Sequence, residues 1–215
     1  MKAISLFSGG KDSYLSARIA MEQGFDIVEL VTVVPEEFSM MYHYPNSAMS
    51  SYPGTLIGRP LVVLKETEIH EYLNKLRNRD IDAVVSGAVE SEYQKTRIEK
   101  MCTDASVISY APLWRKDQEL LLKELLMRGI EAIIVSVSAE GLDQSYLGRP
   151  IDQEMLEKLL QVRKRYGINI IGEGGEYESF VISDKSADRK IEIRKHEVEW
   201  HESYGYFRII DAVIV

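Results

Sequence analysis

Ser8-Gly9-Gly10-Lys11-Asp12-Ser13 lies between a short apolar run, Ala3–Phe7, and an apolar-patterned segment carrying Leu15, Ile19 and Met21. That order reads as a strand, a glycine turn and a helix N-terminus. Such a turn suits an anion. Glycines let the backbone approach closely, and the first N–H groups of a helix lack intrahelical partners at the positive end of its dipole. Ser8 and Ser13 add hydroxyl donors, and Lys11 adds a mobile positive charge. Asp12 repels a bare phosphate, so its presence points to a divalent cation nearby. The stretch is not the Gly-x-x-x-x-Gly-Lys-Ser/Thr phosphate loop, because Asp12 separates Lys11 from Ser13 and Ser5 stands where the first glycine belongs.

Outward from this turn the chain alternates strand and helix. Asp12–Gln23 is expected to be helical and to end at Gly24. Asp26–Val34, Pro60–Lys65, Asp82–Ser86 and Val107–Tyr110 read as further strands. Glu68–Arg79 reads as a helix, with Ile69, Tyr72, Leu73 and Leu76 at i, i+3, i+4 and i+7. Ser91-x-x-Gln94 resembles a capping box that opens another. Continuous apolar strands separated by helices imply a parallel sheet covered on both faces. Ligands of such sheets bind beyond the C-terminal strand ends. Ser8–Ser13, Val34–His43 and Gly87–Glu92 are therefore expected to converge on one cleft. Ser39–Ile57, with two prolines and several serines, reads as an irregular, partly mobile flap over it.

The texture changes near residue 115. Asp117–Arg128 is a leucine-rich helix closed by Gly129, and Glu131–Val137 is a strand. Asp152 can cap a helix closed by Gly167. Ile168–Ile171 leads into a glycine-rich turn, and Ser179–Ser183, Lys190–His196 and Tyr206–Val215 are strand-like. The expected organisation is an α/β nucleotide-binding domain over 1–114 and a smaller α+β domain over 115–215. No Pro/Ser linker separates them, so tight packing is expected.

Composition excludes several classes. The net charge of −8 argues against broad binding of nucleic acid, which needs a basic face. The single cysteine, Cys102, rules out an internal disulfide and a Cys-x-x-Cys for zinc or sulfur transfer. His43, His70, His196 and His201 are too scattered for a metal-ligand pattern. No apolar run is long enough to span a membrane. The N-terminus enters a strand with no signal-peptide core, so the expected compartment is the cytoplasm.

Further motifs carry polar chemistry. Gly172-Glu173-Gly174-Gly175-Glu176-Tyr177-Glu178-Ser179 places three carboxylates within six residues. They could bind Mg2+, orient an amine, pair with arginines such as Arg97 or Arg149, or decorate a solvated hairpin turn. Gly87-Ala88-Val89-Glu90-Ser91-Glu92-Tyr93-Gln94-Lys95-Thr96-Arg97 sets Gln94 and Arg97 on one helix face, either towards the cleft or as a polar outer surface. Gly141–Arg149 is a glycine-bracketed loop that also reads as a plain connector. In Tyr42-His43-Tyr44-Pro45-Asn46 a histidine between tyrosines could stack on a base, shuttle a proton or simply pack.

The SGGxDS loop resembles that of the ATP pyrophosphatases, which cleave ATP between the α- and β-phosphates. The whole set, in order from Ser8 to about Phe180 and including Pro112-Leu113-Trp114, resembles the diphthine–ammonia ligase family. The acidic glycine turn and the Glu-Tyr-Gln-Lys-Thr-Arg stretch narrow the resemblance to that family. Larger eukaryotic members carry extra C-terminal domains, so this chain looks like the short form typical of archaea.

The resemblance implies a HUP-like, adenine nucleotide alpha hydrolase-like fold. It also implies ATP-dependent amidation, with ammonia, of the diphthine carboxylate on elongation factor 2, giving diphthamide, AMP and pyrophosphate through an acyl-adenylate. ATP and Mg2+ are the implied cofactors. Ser8, Gly9, Gly10, Lys11, Asp12, Ser13, His43, Gly87 and Ala88 would bind ATP, and Asp12 the metal. Lys11, Asp12 and Glu176 would be catalytic. Tyr93, Gln94, Arg97, Arg149, Glu173, Gly174, Gly175 and Glu178 would bind substrate. Free ammonia is expected, since no glutaminase domain is present, and an oligomer is compatible with the sequence. The competing readings are another ATP pyrophosphatase adenylating a different acceptor, and a non-catalytic nucleotide sensor.

Overall fold

The computed structural model describes residues 1–34 and 46–215. The chain divides into two compact units, Met1–Arg115 and Lys116–Val215. The first contains β1 (Lys2–Leu6), α1 (Lys11–Glu22), β2 (Asp26–Val34), α2 (Ser51–Ile57), β3 (Leu61–Lys65), α3 (Ile69–Asn74), β4 (Ala83–Val85), α4 (Glu92–Asp104) and β5 (Ile108–Tyr110). Every pairing among these strands is parallel, in the order β3-β2-β1-β4-β5. β1 is central, and the order reverses across it. The turn after β1 therefore opens at a switch point, where connections diverge and leave room for a ligand.

Burial follows from the strand composition. Ile4, Val31 and Val84 from the sheet pack with Ile69, Leu73 and Leu76 and with Ile98, Met101 and Cys102 of α4. α1 buries Tyr14, Leu15, Ala17 and Ile19. Removing such side chains from water supplies most of the driving force, about 1.5–3 kcal/mol for each large aliphatic residue.

Two expectations are corrected. The helix read over Glu68–Arg79 is broken into a 3-10 turn (Glu66–Glu68), α3, and a second 3-10 turn (Arg77–Arg79). Asp80 follows in a left-handed conformation, which lets Ile81 return to the core. Arg79 is drawn out of helical register by Glu29 of β2, at 2.8 Å, and by the Tyr72 hydroxyl, at 2.9 Å. Burial raises the Glu29 carboxyl, but the bonds from Arg79 and Tyr72 more than offset it, and the group lies below its ordinary value. Burial and the Glu29 bond push Tyr72 up to about 12.

The second correction concerns the flap. Residues 51–57 form a helix whose Pro53, Gly54, Leu56 and Ile57 are buried. Proline is tolerated there because its missing N–H falls in the first turn. Gly58 closes the helix in a left-handed conformation.

The second unit contains α5 (Gln118–Met127), β6 (Ile130–Val137), α6 (Gln153–Tyr166), β7 (Tyr177–Asp184), β8 (Ile191–His201) and β9 (Tyr204–Ile214). Its sheet is antiparallel, ordered β7-β6-β9-β8. Asp117 and Asp152 cap α5 and α6 by accepting from the Leu120 and Met155 N–H groups, and Gly167 ends α6. The parallel sheet with its helices and the α+β character of the second half match the fold class expected from sequence. No helix among the described residues is long and apolar enough to cross a membrane.

Candidate active site

The first unit brings the SGGxDS turn and the exit of β4 together. Gly9 adopts φ = +83°, which a side chain would resist. The Ser13 hydroxyl donates to the Gly10 carbonyl at 3.0 Å and accepts from the Ser8 N–H at 3.2 Å. The Ser8 and Ser13 hydroxyls lie 3.1 Å apart, and Ser8 Oγ accepts from the Gly10 N–H at 3.3 Å. The two serines thus close the turn on itself. Gly10 stands extended at the N-cap of α1 and offers no side-chain cap, whereas Ser91, Asp117 and Asp152 cap α4, α5 and α6. The N-terminal end of a helix dipole favours an anion. Lys11 is 3% exposed, and its Nζ lies 2.8 Å from Asp12 Oδ2. The lysine is therefore held at the turn, not displayed in solvent.

Gly87 leaves β4 directly over the first turn of α1. A Cβ there would lie 2.7 Å from the Ser13 nitrogen and 2.9 Å from the Asp12 carbonyl carbon. No side chain fits, so close approach of the two segments requires glycine. Ala88, beside it, is buried. Of the third segment expected at this cleft, Val34 ends β2, and His43, with residues 35–45, lies outside the described residues.

α4 follows the β4 exit. The Ser91 half of the capping box forms: Ser91 Oγ accepts from the Gln94 N–H at 3.3 Å. Tyr93 is 49% exposed. Arg97 donates to its hydroxyl at 2.7 Å and lies 5.8 Å from its ring centroid. Lys95, between them in sequence, stands 4.9 Å over the Trp114 ring.

The acidic turn belongs to the second unit. Its three glutamates are not equivalent. Glu176 Oε1 accepts from the Asn169 N–H at 3.0 Å, and Oε2 from the Gly174 N–H at 2.9 Å. The Ser138 N–H donates to the Glu176 carbonyl at 2.9 Å. The Tyr177 hydroxyl donates to the Ile170 carbonyl at 2.8 Å. Gly172 adopts φ = +79°, and a Cβ there would lie 2.5 Å from the Tyr177 carbonyl oxygen. Glu176 is thus the strut of the turn, while Glu173 and Glu178 flank it half-buried. Arg149 lies 3.8 Å from Glu154, and its carbonyl accepts from the Ile134 N–H at 2.9 Å.

Among the described residues no group of three or more His, Cys, Asp or Glu could hold a metal ion. Mg2+ is ordinarily held by one or two carboxylates together with substrate phosphates rather than by a protein cage, and the Asp12 carboxylate pairs with Lys11. Cys102 is buried, and burial pushes its thiol up to about 11, so it is a packing residue.

Sequence reading missed Asn169 and Ser138, which anchor the acidic turn. It also missed Thr32, Ser50 and Pro53, which pack on the first turn. One signal was present: Thr32 is the sole hydroxyl in the apolar run Leu30–Val34.

Two family models match the chain: the diphthamide synthase N-terminal domain over residues 1–109 and the diphthamide synthase C-terminal domain over residues 117–215. Diphthine–ammonia ligase of Bos taurus is 32% identical over 96% of this chain and 88% of its own length. The Homo sapiens enzyme of that name is 33% identical over the same shares. The Schizosaccharomyces pombe enzyme is 32% identical over 94% of this chain but only 38% of its own length, so the chain spans little more than a third of that relative.

Proposed function

The chain belongs to the diphthamide synthase family, whose named relatives are diphthine–ammonia ligases, and on that premise we propose that it amidates the diphthine carboxylate of elongation factor 2 with free ammonia. ATP supplies the activation. A carboxylate is a poor acyl donor because its leaving group is oxide. A carboxylate oxygen attacks the α-phosphorus of ATP, the bond to the β-phosphate bridging oxygen breaks, and pyrophosphate leaves. Ammonia then attacks the acyl carbon of the adenylate, the carbon–oxygen bond to AMP breaks, and the added nitrogen gives up a proton.

The observation that carries this reading is the SGGxDS turn at the sheet's switch point, with Lys11 held 3% exposed at its floor. Gly9, Gly10, Ser8 and Ser13 cradle the β- and γ-phosphates, which depart together. Lys11 exchanges its Asp12 partner for phosphate oxygens and stabilises the charge that develops there. Mg2+, when bound beside Asp12, neutralises phosphate charge. Gly87 and Ala88 border the nucleotide. Holding the acceptor carboxylate and the α-phosphorus in line supplies a further share of the rate.

In the acidic turn, Glu176 keeps the shape, and Glu173 and Glu178 flank it as further acidic side chains. That suits the trimethylammonium of diphthine or an ammonium ion. Tyr93, Gln94, Arg97 and Arg149 are assigned to the acceptor. The test is product analysis: ATP, Mg2+ and ammonium with diphthine-bearing elongation factor 2 should yield AMP and pyrophosphate only when the acceptor is present. ADP and phosphate, or AMP release indifferent to the acceptor, would count against the proposal.

A further inference from the structure

Thr32 sits in β2 between valines and is 1% exposed. Its hydroxyl donates to the Phe7 carbonyl at 2.6 Å and lies 2.9 Å from the Ser50 hydroxyl. Phe7 is the last residue before the SGGxDS turn. Ser50, itself 1% exposed, is the N-cap residue of α2. That helix covers the turn: a Cβ on Gly9 would lie 3.2 Å from Pro53 Cγ and 3.4 Å from Ser50 Cα. A buried hydrogen-bonded line therefore runs from the entry of the turn, through Thr32, to the helix lying on Gly9.

Packing alone does not call for a hydroxyl here. Valine has the same branched shape, fits the neighbouring residues and carries no polar atom to satisfy. A buried hydroxyl stabilises only through the partners it makes, and here both partners adjoin the turn. The Phe7 carbonyl lies just past the end of β1, while the Phe7 N–H still donates to the Val31 carbonyl of β2 at 2.8 Å.

We propose that Thr32 and Ser50 are positioning residues for nucleotide binding. They fix the Phe7 carbonyl and seat α2 on Gly9, which holds the left-handed glycine and aims the backbone that follows it. The proposal rests on the phosphate-binding reading of the turn. Neither residue touches the nucleotide, and each acts through Gly9.

The test uses the full chain with Thr32→Val, Thr32→Ser and Ser50→Ala, and reads ATP binding by calorimetry, KM for ATP and for the acceptor, and thermal unfolding. Thr32→Val should weaken ATP binding roughly tenfold, the scale of one buried hydrogen bond. KM for ATP should rise in parallel, while KM for the acceptor stays unchanged. Thr32→Ser, which keeps the hydroxyl, should recover most of the affinity. Ser50→Ala should weaken ATP binding in the same direction, and it decides the matter if Thr32→Val does not fold. ATP affinity unchanged in the folded variants overturns the proposal, as does Thr32→Ser failing as badly as Thr32→Val. Parent protein that binds no ATP would instead remove the phosphate-binding reading, and this proposal with it.

Discussion

The turn at Ser8–Ser13 and the turn at Gly172–Glu178 are both rich in glycine and charge, yet they are built in opposite ways. The first is closed on itself by the hydroxyls of Ser8 and Ser13 and is packed from outside. Gly87 presses on its helix start, and Pro53 and Ser50 press on Gly9. Its charged residues, Lys11 and Asp12, pair with each other at 2.8 Å. The second is held by a carboxylate: Glu176 accepts from the Gly174 N–H within the turn and from the Asn169 N–H before it. A turn braced by hydroxyls and neighbours can keep its ionic groups for a ligand. A turn braced by its own carboxylate spends that group on architecture. Like composition therefore does not mean like architecture: Glu176, expected from sequence to be catalytic, also holds two backbone N–H groups.

The difference can be broken from either side. The largest effect is expected on turnover. Lys11→Ala should lower kcat/KM by about 10²–10³, the scale for losing one preorganised charge-stabilising group. The chain has two tryptophans, Trp114 in the first unit and Trp200 in the second, and both should report an intact fold in that variant. Gly87→Ala should come next. A methyl 2.7 Å from the Ser13 nitrogen overpacks a junction between backbones, which costs about 1–3 kcal/mol. In a Trp200→Phe background, Trp114 should melt early and ATP affinity should fall.

Glu176→Gln should do the reverse. Losing one of two bonds to a charged acceptor costs about 1.5–3 kcal/mol. In a Trp114→Phe background, Trp200 should report the loosening, with amidation impaired and ATP binding kept. If Glu176→Gln weakened ATP binding as much as amidation, the division of labour between the turns would fall.

The smallest effect is a pH dependence that Glu29 sets in the first unit. The folded Glu29 carboxyl lies below the ordinary carboxylate value. Its contribution is therefore complete above that value and is lost as pH falls through the lower folded value. An acid titration of Trp114 should lose this step in Glu29→Gln, while Trp200 is unaffected.

Much of this was legible in the sequence because strand and helix signals agree with the local chemistry. Asp26–Val34 is a valine-rich, largely apolar run, interrupted by Glu29 and Thr32, and folds as one strand with those bounds. Ser91, Asp117 and Asp152 are capping residues and cap the helices they precede. What escaped reading depends on tertiary partners. Pro53 and Gly54 look like loop residues, yet they lie in a short helix that the first turn and Leu61 hold in place. Arg79 fits a helical period, yet Glu29, fifty residues away, takes it. In the acidic turn the spacing of glutamates was visible, but not which of them would face Asn169.

The most direct test of the central claim is the intact mass of diphthine-bearing elongation factor 2 after incubation with the protein, ATP, Mg2+ and nitrogen-15 ammonium. The account predicts the carboxylate-to-amide mass change with nitrogen-15 incorporated, in step with AMP. An unchanged factor despite measurable ATP binding would contradict it and leave a nucleotide-binding protein with another task.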